Sequence, residues 1–428
     1  MRYLTIPISI VLFLTSNSLA AETMTWGDCI KEAAKNHPDL ISAQENIKQF
    51  EAAKKVTASA LFPQVTGDVG ASTAKSSSTS SGVTSTSTSD SYSYGLSGTQ
   101  LIFDGLQTIN DVNAAKENIQ ASAQGYKFTS ATVRMRLRTA FASLLQAQEM
   151  IDVAEDIVKI RRSNLELITL RYESGLEHRG ALLTAEANLA QANFQVAQAK
   201  RDIELSQRQL TKEMGRKEFD PMYVKGDFKV SDAATIKPNF EVIANNNPSL
   251  KQLIAQKNSA LFSVRSAYGS FAPELTGQAG AGKSDSKWTP DGSNWNLGLA
   301  LSMPIFEGGL RHAQVAQARA EYNQAVEKER SGRDGIIVTL EQTWVKLQDA
   351  LETVGVKYKT LIATEERSKI AEAQYSIGFI SFDNWIIIEN DLVNAKLAYL
   401  NAQGSALTAE ANWIQAKGDT LEYAQAKN

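Results

Sequence analysis

Three kinds of residue in this chain could do chemistry, and none is arranged for it. The histidines, His37, His178 and His312, are scattered along the sequence, so they outline no metal site. The one cysteine, Cys29, cannot form an internal disulfide and reads as a small buried apolar residue. Gly277-Gln278-Ala279-Gly280-Ala281-Gly282 is rich enough in glycine for a phosphate cradle. It sits inside strand-like alternation with no helix behind it, however, so it reads as small residues on a strand. No catalytic constellation or cofactor motif emerges, and the chain reads as a non-enzyme. What does recur is a turn: Arg171-Tyr172-Glu173-Ser174-Gly175-Leu176, and again Gln374-Tyr375-Ser376-Ile377-Gly378-Phe379-Ile380-Ser381. Exposed backbone and a small apolar patch there offer binding rather than catalysis.

The elements that must position these turns are long helices. A seam of period 3.5 descends through Val133, Leu137, Ala140, Leu144, Ala147, Ile151, Ala154, Val158, Arg161, Leu165, Ile168 and Tyr172. It returns through Leu182, Ala185, Leu189, Ala192, Val196, Ala199, Ile203, Ser206 and Leu210. Such a repeat gives left-handed coiled-coil packing, and alternating alanines let the backbones approach closely. Gly175 ends the descending helix cheaply in the left-handed conformation. The hairpin recurs 203 residues later, from Gly175 to Gly378, with Trp385, Ile388, Leu392, Ala395, Tyr399, Ala402, Ala406, Ala409 and Trp413 as its return seam. Two hairpins in register are an internal duplication.

Met1-Arg2-Tyr3, an apolar run from Leu4 to Leu14 and Ser18-Leu19-Ala20 read as a secretory leader over residues 1–20. No later stretch approaches the ~20 apolar residues that a spanning helix needs. The formal net charge of -3 becomes one unit more negative once Arg2 leaves, which argues against a nucleic-acid partner.

In order, residues 21–235 form a first repeat and 236–428 a second. A helix is expected from about Trp26 to Leu61, stopped by Pro63. Period-two strands follow over 64–74 and 92–103, with the Ser/Thr run from Ser76 to Ser91 as a solvated loop. The second repeat gives strands over 274–284 and 294–306, a tip at 375–383 matching that at 172–180, and a C-terminal tail. The spacing between repeats falls from 210 (Pro63 to Pro273) to 203 (Phe103 to Phe306), which predicts a shorter second hairpin loop. The descending helices, about 108–171 and 310–374, are on the order of 100 Å long. Four half-length helices (26–61, 182–214, 240–271, 384–417) would stack in pairs against them. Ser331-Gly332-Arg333-Asp334-Gly335 predicts a kink or break in the second long helix.

The strands decide the class. Tyr92, Tyr94, Leu96 and Trp295, Leu297, Leu299, Leu301 line alternate positions, as in an outer-membrane barrel strand. Four strands cannot close alone, and an open edge in hydrocarbon is prohibitively costly. Three chains give twelve strands around an open lumen. The fold expected is mainly α with a β membrane part: trimeric coiled-coil hairpins capped by a shared 12-stranded β-barrel.

On those residues the chain resembles the outer-membrane factor (TolC-like) family of efflux and type I secretion ducts, over nearly the whole mature length. The resemblance implies a homotrimer in the outer membrane of a Gram-negative bacterium, in contact with outer-membrane lipid, its helical part tapering through the periplasm. It implies a periplasmic adaptor protein docking on Tyr172, Gly175, Leu176, Tyr375, Gly378, Phe379, Ile380 and Ser381. An inner-membrane pump of RND, ABC or MFS type would drive the substrate. Family members place aspartates on the inward side of the helix after the second tip. Here Asp383 falls one position early, Asn384 takes that place and Ile387 follows a turn on, with Glu389 and Asp391 beyond. Asp383, Asn384, Glu389 and Arg367 are thus the gate candidates, and a ring of such carboxylates would select cations. Asp383 also suits the N-cap of a helix starting at Trp385. The competing architecture is a trimeric coiled-coil adhesin or envelope spacer without transport, but strand pairs interrupting each half fit a duct better.

Overall fold

The computed structural model describes residues 22–228, 230 and 236–423; the leader read over 1–20 lies outside them. In chain order the elements are β1 (Glu22–Thr25), α1 (Trp26–Asn36), α2 (Pro38–Ala58), β2 (Gln64–Ser80), β3 (Val83–Phe103), α3 (Gln107–Glu173), α4 (Arg179–Met214) and β4 (Met222–Lys225). Then come α5 (Phe240–Asn246), α6 (Pro248–Gly269), β5 (Glu274–Asp285), β6 (Ser293–Ser302), α7 (Leu310–Ser376) and α8 (Phe382–Lys417).

The helix expected from Trp26 to Leu61 is two. Proline has no N–H and holds the residue before it extended, so His37 (φ -67°, ψ 122°) ends α1. Its Nδ1 then caps α2 by accepting from the Asp39 amide at 3.2 Å. Asn247-Pro248 repeats the break between α5 and α6. The long helices α3 and α7 have 67 residues each, roughly 100 Å. The former packs on α2 and α4, the latter on α6 and α8, while α3 also meets α6 and α8. The break expected at Gly332 is absent. A Cβ there would overlap the Leu253 side chain, so this glycine lets α6 approach α7.

The thickest core surrounds a two-stranded parallel sheet of β1 and β4, which sequence periodicity did not reveal. Cys29, Leu137, Phe141, Leu144, Met214, Met222 and Leu421 share it. The Gln148 amide stands in for a third strand, donating to the Val224 carbonyl at 2.9 Å and accepting from its N–H at 2.8 Å. Beside this core Glu213 is buried among His37 (3.5 Å), Lys212 (3.0 Å) and Arg136 (3.7 Å). The His37 imidazole first, then Lys212 and Arg136, hold its carboxyl down from 4.5 to about 2. A depressed carboxylate pKa stabilises the fold above its unfolded value and ceases to as pH falls through the folded one. Here that is up to ~3 kcal/mol, lost between pH 4.5 and about 2. Glu213→Gln is therefore expected to lower the thermal midpoint at pH 7 and to flatten its acid dependence. An unaltered melting-versus-pH curve would count against it.

The second sheet has the order β2-β3-β5-β6, all antiparallel, with both outer edges open. The Ser/Thr run is not a loop: β2 and β3 have 17 and 21 residues and meet at a two-residue turn, Ser81 (φ 52°) and Gly82 (φ 82°). Hydroxyls pair across the ribbon, Ser77 with Thr86 at 3.1 Å and Thr79 with Thr84 at 3.0 Å. The second hairpin has strands of 12 and 10 residues, with residues 286–292 as its loop. It is shorter in its strands, not in its loop. No helix among the described residues is long and apolar enough to cross a membrane, which says nothing of this sheet.

Candidate functional site

Both tip turns end their helix with one backbone device. Gly175 (φ 70°) and Gly378 (φ 79°) are left-handed, and the Leu176 and Phe379 amides donate to the Arg171 and Gln374 carbonyls, each at 2.8 Å. No heavy atom comes within 4 Å of where a Cβ would stand at either glycine. Conformation alone selects glycine, and the space above the turns is open. Leu176, Ile377 and Phe379 are exposed on the tips, with Ile377 an addition to the expected patch. His178 caps α4 through the Ala181 amide (3.1 Å), and Ser381 caps α8 through the Asn384 amide (3.4 Å).

The two tyrosines, equivalent in sequence, differ in place. Tyr172 is 38% exposed, whereas Tyr375 is 1% exposed and stacks on Trp385 with ring centroids 4.4 Å apart and planes 9° off parallel. The Arg171 guanidinium lies over the Tyr375 ring at 4.7 Å and donates to the carbonyls of Tyr375 (3.1 Å) and Ser376 (3.2 Å). The Tyr375 hydroxyl donates to Glu177 Oε2 at 2.7 Å. Burial, then the Glu177 carboxylate, push the phenol pKa up, so it remains a donor. One tip is thereby locked to the other within the chain. Ile380 is half-buried against the same cluster. The sequence pattern gave no sign of Glu177 or of the stacking role of Trp385.

The gate candidates separate. Asp383 and Asn384 are exposed in the first turn of α8, and Ser381, not Asp383, is the N-cap. Arg367 pairs with Asp391 at 3.2 Å, joining α7 to α8 at the surface. Glu389 is 3% exposed and accepts from the Ser368 hydroxyl (2.5 Å) and the Asn164 amide (3.3 Å). Beside it Arg161, a charged residue on the apolar seam, is buried and donates to Asn390 Oδ1 at 2.6 Å. Burial lowers the Arg161 pKa, and Glu389 opposes that shift. Glu389 therefore belongs to a polar node between α3, α7 and α8, away from any open wall of the chain.

At the other end the sheet has two unlike faces. Residues paired across antiparallel strands share a face. The register puts Val65, Val69, Tyr94 and Leu96 with Ala281, Lys283, Trp295, Leu297, Leu299 and Leu301. The opposite face carries Thr66, Asp68, Ser93, Gln278, Asn294 and Asn296. Trp288, against Tyr92 at 5.4 Å, stands near one end of the apolar band, and Ile305 and Phe306 are exposed near the other. An apolar face between aromatic borders, backed by a polar one, is the pattern of a membrane barrel wall.

The remaining reactive side chains do structural work. His37 and His178 are caps, and His312 meets Phe271 edge-on at 5.1 Å. Cys29 is fully buried, and burial pushes its thiol up to about 12. Among the described residues no group of three or more side chains could hold a metal ion.

Comparison with known proteins gives one family. The profile described as "Outer membrane efflux protein" matches residues 29–216 and 241–419. The outer membrane efflux protein BepC of Brucella suis is 22% identical over 413 residues, spanning 95% of this chain and 87% of that protein. Outer membrane protein TolC of Escherichia coli is 22% identical over 313 residues, 69% of this chain and 63% of its own length. Among solved structures, CusC superposes with a TM-score of 0.81 at 16% identity, covering 91% of each chain. The Campylobacter jejuni CmeC outer membrane channel gives 0.79 at 19%, covering 91% of this chain and 84% of that one.

Proposed function

This chain belongs to the outer membrane efflux protein family, and on that premise we propose that three copies close into one duct from periplasm to exterior. The chain is an outer-membrane channel of a Gram-negative efflux or type I secretion system. Its own edges support the trimer. The backbone edges of β2 and β6 are unpaired within the chain, and such an edge in hydrocarbon costs several kcal/mol per group. Joining β6 of one copy to β2 of the next removes both edges, and twelve strands close around a lumen. The helices make the same demand. Contacts order them α4-α3-α8-α7, leaving α4 and α7 outermost. Those two helices expose Leu183, Phe194, Leu205 and Val338, Val345, Val356, Ile370. One head-to-tail contact would cover both stripes. The carrying observation is that sheet and helices are unsatisfied at both lateral edges. Native mass spectrometry of detergent-extracted protein is expected to give trimers; a stable monomer would overturn the assembly.

The tips are the docking end for a periplasmic adaptor, through Tyr172, Gly175, Leu176, Gly378, Phe379 and the capped start of α8 at Ser381. Tyr375 and Ile380 support that surface from within. An RND, ABC or MFS pump in the inner membrane supplies the energy. Gly175→Leu or Gly378→Leu adds a side chain into open space at a left-handed residue, a strain of about 1–2 kcal/mol. Trimers are expected to assemble while efflux, read as drug or dye retention in cells, is lost. Wild-type efflux in both variants would remove the tips from the docking surface. Asp383 and Asn384 are the exposed candidates for the entrance wall. In single-channel recordings Asp383→Ala is expected to reduce cation over anion selectivity, and unchanged selectivity would exclude a gate role for Asp383.

A further inference from the structure

The Ser/Thr ribbon keeps the sidedness of the sheet below it, and its residues are sorted accordingly. From Thr73 to Asp90, all five threonines (Thr73, Thr79, Thr84, Thr86, Thr88) lie on the face that carries Val69, Tyr94 and Leu96 lower down. The face continuing the polar wall has Ser76, Ser78, Ser80, Ser85, Ser87 and Ser89 and no threonine. A structureless hydrophilic linker would have no reason to alternate Thr with Ser. The ribbon starts where the membrane wall stops: β3 pairs with β5 only as far as Tyr92 with Asp285, and β2 and β3 run on with every side chain exposed. From Tyr92 to Val83 that is roughly 30 Å beyond the aromatic border, at the end of the sheet away from the helices.

Two observations lower on the same face say what could lie against it. A groove runs between Leu96 and Trp295 over Ala281, with Lys283 at its lip. A second apolar hollow lies further along the same strands at Gly98, Gly277 and Leu297, where the missing side chains leave room for a hydrocarbon chain. Along one face, in order, stand an acyl-sized apolar groove, a cation at headgroup height and a ladder of methyl-bearing hydroxyls. The same face also carries a second cation, Lys75 opposite Thr88, and two carboxylates, Asp90, which accepts from the Thr73 hydroxyl, and Asp285, which accepts from the Ser286 amide.

We propose that the threonine face of the β2–β3 ribbon is a docking surface for the saccharide headgroup of an outer-leaflet glycolipid whose acyl chain lies in the groove below. Threonine suits a sugar ring, its hydroxyl exchanging hydrogen bonds while its methyl covers a C–H face. Serine, smaller, suits the side that faces the channel mouth. The proposal rests on the placement of the sheet in the outer membrane.

The test uses the full-length protein in phospholipid discs, titrated with rough lipopolysaccharide and with the same acylated lipid lacking its core saccharide. Wild type is expected to prefer the saccharide-bearing lipid at least about tenfold. The triple variant Thr84→Ala, Thr86→Ala, Thr88→Ala is expected to lose that preference. The triple Ser85→Ala, Ser87→Ala, Ser89→Ala removes as many hydroxyls from the other face of the same strand and is expected to keep it within about twofold. Equal losses in both triples, or no wild-type preference, would overturn the proposal. Competition by inorganic phosphate as strong as by glycolipid would assign binding to the lysines of that face, Lys283 and Lys75, and also overturn it. Wild-type protein that fails to enter the disc would overturn the membrane placement itself, an outcome visible before any titration.

Discussion

Leu299→Arg is expected to keep the protein out of the outer membrane, while Asn296→Arg, three residues away on the same strand, is expected to leave insertion intact. The two side chains lie on opposite faces of β6: Leu299 pairs with Gly277 and Asn296 with Gly280. Leu299 stands between the aromatic residue Trp295 and the exposed Met303, near the middle of the apolar band. An arginine at bilayer mid-depth on the lipid face of a barrel costs about 2–4 kcal/mol. Three copies in one barrel carry the charge three times, roughly 6–12 kcal/mol in all, enough to defeat assembly. Asn296 already belongs to a polar face, and an arginine there meets water in the lumen. Membrane fractionation followed by heat-modifiability on gels reads both variants. If Leu299→Arg inserted as well as Asn296→Arg, the apolar face would not be the lipid face, and the barrel would have to be abandoned.

What the sequence made legible is whatever rests on a long repeated period. The seam from Val133 to Tyr172 and its return through Leu210 fold into the expected α3–α4 hairpin, and the copy through Trp413 into α7–α8. Element limits agree to within a few residues because the tip glycines are set by conformation and not by tertiary contacts. The ribbon was missed because apolar alternation is the usual sign of a strand, and Thr84-Ser85-Thr86-Ser87-Thr88 alternates two hydroxyl residues instead. Its β-branched members and the Ser81-Gly82 turn were the available signal. Gly332 was misjudged for a different reason: propensity counts the cost of a helical glycine but cannot see Leu253 arriving from another helix. Of the site, the turns were legible and their lock was not. Tyr172 and Tyr375 occupy equivalent positions, and only the second repeat has a tryptophan, Trp385, where the first has Leu182. That one difference gives Tyr375 a stacking surface. Arg161 and Glu389 show the converse case, charges on or beside a seam whose partners come from other helices and leave no local trace.

Tyr375→Ala is expected to open the periplasmic entrance in the absence of any adaptor, with a marked rise in single-channel conductance. Tyr375 is the central piece of the tip cluster, packed with Phe382, Trp385, Ile168 and Ala371. Truncating a buried aromatic costs about 3–5 kcal/mol. The loss falls on contacts that join the α3–α4 turn to the α7–α8 turn, because Arg171 loses the ring beneath it and Glu177 loses its hydroxyl donor. If the closed entrance depends on that join, even 3 kcal/mol shifts the closed-to-open ratio about a hundredfold. Tyr375→Phe separates the parts. It keeps the stack on Trp385 and the cation above the ring but removes the bond to Glu177, a loss of about 1.5–3 kcal/mol for a hydrogen bond to a charged group. Its conductance should lie between wild type and Tyr375→Ala. The phenol pKa is raised, so the bond persists at neutral and mildly alkaline pH, and the wild-type closed state should not depend on pH through this group. Planar-bilayer recordings of the three proteins decide the matter. Identical conductance in all three, with trimers intact, would mean that the Tyr375 lock stiffens the tip without holding the entrance shut.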